Sequence, residues 1–255
     1  MNRWRNKVAI VTGASVGIGY AIAEKLTSEG VIVVGFARRK EKLEEAAQNF
    51  NKNKKLFYFC IVDLMKEEDI LSGFKWVADN VGPVHILVNN AGIVSTTNVM
   101  NGETALWKEV FDTNVISLCI ATKEAIKDMN KNNVDGHIVH INSVDGHSVQ
   151  DGTSVYGASK FSVTALTEIL RKELVHANSK IKITSISPGN VATDIYRTSF
   201  ENSNINYEKS DFFQEISQCA MLTAEDVADS VMYTLGTPPN VQVHEIMIKP
   251  IGELG

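Results

Sequence analysis

The sequence predicts a doubly wound α/β fold, a seven-stranded parallel sheet flanked by helices, and three observations carry that prediction. Seven short apolar runs alternate with longer helical segments along the 255 residues. The runs are nearly continuous in apolar character, as strands covered on both faces must be. A glycine-rich turn stands directly between the first run and the first helical segment, the junction at which such sheets meet a phosphate.

The runs are Val8 to Val11, Val31 to Ala37, Leu56 to Val62, His85 to Val88, His137 to Ile141, Ile181 to Ile186 and Val243 to Ile248. Each is strand-length and mostly β-branched or aromatic. After the first run, Ile18, Ile22 and Leu26 recur every four residues, giving one apolar helical face, and Gly30 stops the helix. Thr223-Ala224-Glu225-Asp226 opens a later helix with a threonine followed three residues on by an acid, a capping pattern. Lys52-Asn53-Lys54-Lys55 reads as a solvated loop. No repeat or linker divides the chain, and its length fits a single domain over residues 1–255. The stretch from Asn190 to Met221 is long and irregular between two well-marked elements, and a lid over a site is expected at about 190–221.

Composition narrows the function. Hydrophobic residues make up 44% and charged residues 22%, which excludes a disordered or fibrous chain. A net charge of −5 argues against a nucleic-acid partner, for which a basic domain is expected. No stretch approaches the ~18 consecutive apolar residues of a membrane span. The basic N-terminal residues lead into a strand rather than a signal peptide. Cys60, Cys119 and Cys219 are far apart and odd in number, so neither a disulfide framework nor a metal site is expected. A reducing compartment, the cytosol, is the natural location.

The turn reads Thr12-Gly13-Ala14-Ser15-Val16-Gly17-Ile18-Gly19. Glycines serve where the chain turns tightly and where backbone must approach a pyrophosphate. The spacing is Gly-x-x-x-Gly-x-Gly rather than the Gly-x-Gly-x-x-Gly of the common dinucleotide fingerprint. About 20 residues on, an NAD-preferring site places an acid against the ribose. Here no acid lies between Glu29 and Glu41, and the second run ends in Ala37-Arg38-Arg39-Lys40. Guanidinium groups grip a 2′-phosphate where a carboxylate would repel it, so the expected cofactor is NADP. Tyr156 and Lys160 are four residues apart and share a helical face. A nearby ammonium favours the phenolate, so the tyrosine is expected to have a lowered pKa and to act as an acid or base.

These residues, with Asn89-Asn90-Ala91-Gly92, Ser143 and Tyr156-Gly157-Ala158-Ser159-Lys160, resemble the short-chain dehydrogenases/reductases over essentially the whole chain. The resemblance implies a Rossmann fold and a hydride transfer between nicotinamide and an alcohol or carbonyl. It implies catalytic roles for Asn114, Ser143, Tyr156 and Lys160. Ser143 would hydrogen-bond the substrate oxygen, and Asn114 would hold a water in a proton relay to Lys160. Cofactor contacts are implied at Gly13, Ser15, Gly17, Ile18 and Gly19, and at Arg38 and Arg39. Asp63 would meet the adenine amino group, with Leu64 a further contact. Asn90 would lie against the adenosine ribose, with Gly92, Tyr156 and Lys160 further contacts. Pro188 and Gly189 would close over the nicotinamide, and Val191 and Thr193 would meet its carboxamide.

A narrower resemblance rests on Arg3-Trp4-Arg5, Val33 to Arg38, Gly136 to Ser143, Asp145-Gly146-His147, Thr164 to Glu168 and Ile186 to Gly189. It is to a subgroup holding the NADP-dependent farnesol dehydrogenases of insects and ketosteroid-reducing vertebrate relatives. That implies a large apolar alcohol or ketone as substrate. Ketosteroid or general carbonyl reduction on the same site is an alternative, and a non-catalytic NADP-binding regulator is one of another class. Ile195, Tyr196, Phe200, Phe212, Phe213, Ile216 and Met221 would line an apolar pocket or fold a lid helix onto the core, with His147 and Gln150 as further candidates for the pocket. The helices from Glu103 to Met129 and from Ser154 to Ala177 resemble those that pair two subunits, implying a homodimer or homotetramer.

Overall fold

Seven parallel strands lie in the order β3-β2-β1-β4-β5-β6-β7 in a computed structural model that describes residues 1–95, 97–149, 154–202, 206–210, 213–214 and 219–253. The strands are β1 (Val8–Thr12), β2 (Ile32–Ala37), β3 (Phe57–Ile61), β4 (Val84–Asn89), β5 (His137–Ile141), β6 (Lys182–Pro188) and β7 (Glu245–Ile248). The helices between them are α1 (Gly17–Ser28), α2 (Lys40–Phe50), α3 (Glu67–Asn80), α4 (Thr104–Phe111), α5 (Ser117–Lys131), α6 (Ser154–His176), α7 (Ile195–Asn202) and α8 (Ala224–Gly236). All seven expected strands are present, and their ends agree with the apolar runs within two residues.

Side chains alternate across the sheet and divide the core in two. Ala9 and Val11 of β1 face a cluster built with Ile22 and Leu26 of α1, Leu43 of α2 and Val231 of α8. Val8 and Ile10 face the opposite cluster, with Phe74 of α3, Met129 of α5 and Leu174 of α6. Burying each of these large side chains contributes about 1.5–3 kcal/mol before entropy is counted. Double-sided burial holds for β1, β5 and β6 but not at the edges. β3 and β7 each have one neighbour, and Ile61 and Met247 are exposed there. Gly30 stops α1 at φ +83°, and Thr223 and Asp226 form the reciprocal cap of α8.

The winding reverses beside β1. The chain builds outward through β2 and β3, then returns to lay β4 against the other side of β1. The carboxyl ends of β1 and β4 therefore diverge into a crevice, the place where open α/β sheets hold ligands. Ile116, Phe161, Ile169 and Val175 are exposed on the helical segments expected to pair subunits. Among the described residues no helix is long and apolar enough to cross a membrane.

The central strand β5 carries two buried histidines. His137 Nε2 meets Thr184 Oγ1 at 2.9 Å, and His140 Nδ1 meets Thr167 Oγ1 at 2.9 Å. Burial, aided by Lys182 and Arg3 around His137 and by Lys160 and Arg171 around His140, pushes both down to about 3. In the unfolded chain a histidine takes its proton near ~6.5. As pH falls below that value the unfolded chain binds protons that the folded chain refuses until about 3. Stability should therefore fall with pH across this window, by up to about 1.4 kcal/mol per pH unit for each histidine. Urea denaturation between pH 7 and 5 should show the slope, and His137→Gln or His140→Gln should each reduce it. A slope unchanged in both variants would contradict this reading.

Candidate active site

The crevice begins at Thr12, the last residue of β1. Its hydroxyl accepts from the backbone N–H groups of Asn90 and Ala91, both at 3.0 Å, and reaches the Val88 carbonyl at 3.4 Å. The Asn90 side chain returns a bond to the Thr12 carbonyl at 2.9 Å. The turn after β1 is thereby stitched to the end of β4. Gly13 and Gly17 adopt φ of +69° and +57°, which glycine reaches without steric cost. Gly19 lies behind the turn rather than on its open face, and a Cβ there would stand 2.4 Å from the Gly13 carbonyl oxygen. Helix α1 starts at Gly17 with neither a side-chain cap nor an acid in its first turn. Its positive end and backbone donors face the crevice, as an anion requires.

A cavity of about 660 Å³ runs from this turn along the ends of β2 and β3. Gly13, Ser15, Gly17, Ile18, Arg38, Arg39, Asp63, Leu64, Asn90, Gly92 and Thr193 all line it. Arg39 donates to Ser15 Oγ at 3.2 Å, so its guanidinium stands beside the glycine turn. Asp63 accepts from the Met65 backbone at 3.2 Å and lies 3.8 Å from the Lys66 ammonium. Two cations at one end and a helix N-terminus in the middle fit a dinucleotide that carries a third phosphate on its adenosine half.

A second cavity, of about 310 Å³, continues the first across the ends of β5 and β6. Ile18, Asn90, Gly92, Val94, Thr193 and Ile195 wall both. Ser143, Tyr156, Lys160, Pro188, Gly189 and Val191 complete it. Ser143, two residues past β5, caps a 3-10 turn, Val144–Gly146, accepting from the Asp145 N–H at 3.1 Å. Helix α6 presents Tyr156 and Lys160 on one face; the Lys160 ammonium lies 5.6 Å from the Tyr156 ring centre and donates to the Ile141 carbonyl at 3.0 Å. The Tyr156 phenol lies close to the Ser143 hydroxyl.

Asn114 sits outside both cavities, buried in a π-helical turn, Asp112–Ile116, between α4 and α5. Such turns mark functional sites often. Its amide donates to the Ile93 carbonyl at 2.9 Å and to Ser159 Oγ at 3.0 Å, and accepts from the Ile93 N–H at 2.8 Å. Ser159 in turn donates to the Tyr156 carbonyl at 2.6 Å. A Cβ on Gly92 would stand 3.5 Å from Asn114 Oδ1 and 3.9 Å from Lys160 Nζ, so all three groups converge.

Electrostatics depart from the expectation at Tyr156. Burial pushes its phenol well above the usual value, Tyr196 and Asp145 push the same way, and the Ser143 hydroxyl opposes them. The lysine does not depress it: burial pushes Lys160 itself down to about 8, with Asp145 opposing. Desolvation of the charged forms outweighs their mutual attraction here. The resting pair is a protonated phenol beside an ammonium held weakly.

Some expected pocket residues lie elsewhere. Ile195 and Tyr196 line the second cavity, but Phe200 and Phe213 pack against Tyr207, with ring centres 5.5 Å and 5.0 Å from it. These contacts join Phe200 of α7 and Phe213 through Tyr207. The base of the 190–221 segment is pinned where Val191 pairs with Leu222, through Ala192 N–H to Leu222 and Leu222 N–H to Asn190, both at 2.8 Å. Met221 is exposed, and Phe212, Ile216 and Gln150 lie outside the described residues. His147 turns away from the cavity to Glu245 Oε1 at 2.7 Å and Ser187 Oγ at 3.1 Å.

Other residues at the site were not singled out from sequence. Thr12, Ser159 and Asp145 stood inside the quoted motifs, and position in the motif was their signal. Glu253 had none. Its carboxylate accepts from the Asn190 N–H at 2.9 Å, packs against Gly189, and walls the second cavity.

A parallel sheet that reverses at β1, a glycine turn under a helix end and a Ser–Tyr–Lys cluster beside it together define a nucleotide-dependent dehydrogenase. The family model for short chain dehydrogenases matches residues 7–204, and the chain belongs to that family. A farnesol dehydrogenase of Aedes aegypti is 47% identical, over 99% of each chain. Dehydrogenase/reductase SDR family member 11 of Homo sapiens is 42% identical, over 98% of this chain and 96% of that one. Among solved structures, the closed form of serine dehydrogenase with NADP+ superposes with a TM-score of 0.86 at 26% identity, covering 97% of this chain and 96% of that one. Actinorhodin polyketide ketoreductase with NADPH gives 0.85 at 28% identity, over 96% of each.

Proposed function

We propose that this dehydrogenase uses NADP(H) to interconvert an alcohol and a carbonyl on a large apolar substrate of the farnesol class. The observation that carries the reading is the junction of the two cavities: Ser143, Tyr156 and Lys160 stand in one, and Arg38 and Arg39 at the far end of the other. The walls of the reacting cavity include Val94, Ile141, Val144, Val191 and Ile195, which suit an apolar chain. The likeness to a farnesol dehydrogenase supports the same substrate class.

When bound, the nicotinamide supplies or takes up the hydride. The protein's own residues handle the oxygen and its proton. Ser143 and Tyr156 donate hydrogen bonds to the substrate oxygen, and in reduction Tyr156 gives up its proton as charge develops there. Burial keeps the phenol protonated near neutral pH, so the proton donor is in place before reduction. Lys160, held near Tyr156 and easily deprotonated, returns the proton. Asn114 anchors the relay by tying Ile93 and Ser159 to the start of α6. Gly13, Ser15, Gly17, Ile18 and the α1 N-terminus hold the pyrophosphate, with Gly19 giving the turn its close packing. Asp63, Leu64, Asn90 and Gly92 hold the adenosine half, and Pro188, Gly189, Val191 and Thr193 the nicotinamide.

Tyr156→Phe should lower kcat by about 10² to 10⁴-fold while leaving NADPH affinity intact, because it removes the proton donor and little else. Steady-state rates within a few-fold of the wild type would sink the assignment. Arg38→Asp should weaken NADPH binding by about ten- to a hundredfold and leave NADH binding nearly unchanged. Fluorescence titration of both cofactors checks this; equal losses for the two would mean that Arg38 does not read the 2′-phosphate.

A further inference from the structure

The reacting cavity holds a carboxylate that neither the hydride nor the proton requires. Glu253, on the segment after β7, walls it together with Ser143 and Tyr156. Its Oε2 accepts from the Asn190 N–H at 2.9 Å. Both carboxylate oxygens also press on Gly189, in the space that a Cβ there would fill. Gly189 is not at a positive φ, so its backbone does not call for glycine, whereas room for the Glu253 carboxylate does. The chain after β6 thus builds a seat for one acid, with a donor on one side and an open backbone beneath it.

The charge on that seat has no counter-charge. Among the described residues no lysine, arginine or histidine nitrogen lies within 4 Å of the Glu253 carboxylate. The other charged side chains on the wall are Asp145 and Lys160. The Lys160 ammonium is turned to the Ile141 carbonyl, at 3.0 Å, and stands beside Gly92. It therefore lies toward the ends of β4 and β5, while Glu253 lies on the chain that follows β6. Lys249, four residues before Glu253, is not part of the wall. Much of the rest of the wall is apolar, Val94, Val144, Val191 and Ile195 among it, and offers an anion no hydrogen-bond donor. A cavity of about 310 Å³ gives a small ligand little room to hold a charge away from its wall.

We propose that Glu253 is a specificity-determining residue: its carboxylate admits neutral alcohols and carbonyls to the reacting cavity and turns away those that carry a carboxylate within two bonds of the reacting carbon. The proposal deepens the reading of a hydride transfer on an apolar substrate and rests on it. Like charges brought together where few waters screen them repel strongly. Selectivity then comes from an element built against the wrong substrate as much as from the apolar walls that welcome the right one.

The test is a matched pair of ligands, 3-oxohexanoate and its methyl ester, which differ by one charge two bonds from the ketone carbon. Calorimetric titration of the protein in the presence of NADP+ reads their binding without turnover. The wild type should bind the ester about ten- to a hundredfold more tightly than the acid. Glu253→Gln keeps an acceptor for the Asn190 N–H and removes the charge, and should cut that ratio by about tenfold. Glu253→Ala, which empties the seat, should cut it as well, so either variant suffices if the other does not fold. A wild type that binds acid and ester alike, a ratio unchanged in the variants, or an ester that does not bind would overturn the proposal. Steady-state assays with NADPH separate it from the reading beneath it. If neither farnesal nor the ester is reduced while the binding ratios behave as stated, the hydride-transfer reading falls and the selectivity of the cavity stands.

Discussion

Everything at the carboxyl end of the sheet depends on how the chain parts on either side of β1. The parting is fixed by one side chain. Thr12 accepts two backbone N–H groups from the end of β4 and takes a third bond in return from Asn90. These donors are buried or half-buried, and leaving them unpaired would cost about 1–3 kcal/mol each. The glycine turn is thus anchored to β4, which carries Asn90 and Gly92 into the crevice. From that anchor α1 is placed by close packing at Gly19, where a Cβ would stand 2.4 Å from the Gly13 carbonyl oxygen, and Gly92 lies beside Asn114 and Lys160.

The reacting groups sit where desolvation competes with charge. A buried phenol, a buried ammonium and a buried carboxyl share one small cavity, and burial shifts each toward its neutral form. Of the three, Lys160 comes nearest to neutrality, at about 8, which suits a proton-transferring site. Burial keeps the proton on the tyrosine and lets the lysine release one more easily than a solvated lysine would.

The sheet, its flanking helices and the family were legible in the sequence because each rests on local signals. Apolar runs mark strands, Gly30 and Thr223 mark helix ends, and the glycine and Tyr-x-x-x-Lys motifs mark the crevice. What was not legible comes from distance and rotation. Glu253 reaches Asn190 from the far end of the chain, after β7 has returned to the sheet. His147 follows the active turn by spacing, yet the 3-10 turn rotates it onto Glu245 of the edge strand. Phe200 and Phe213 have the composition of a pocket lining, but Tyr207 between them takes up their ring faces. The raised phenol of Tyr156 was the reverse of what spacing suggested, because spacing reports the neighbouring charge and says nothing of burial.

The central claim is that the two cavities form one path, along which a hydride passes from a nicotinamide to a carbonyl carbon held by Ser143 and Tyr156. Isotope transfer reads it directly. With NADPH deuterated at the transferable C4 position and farnesal as acceptor, mass spectrometry of the alcohol should find one deuterium on the carbinol carbon. Alcohol formed without deuterium from either C4-labelled epimer of the cofactor, or labelled cofactor left unconsumed, would contradict the claim.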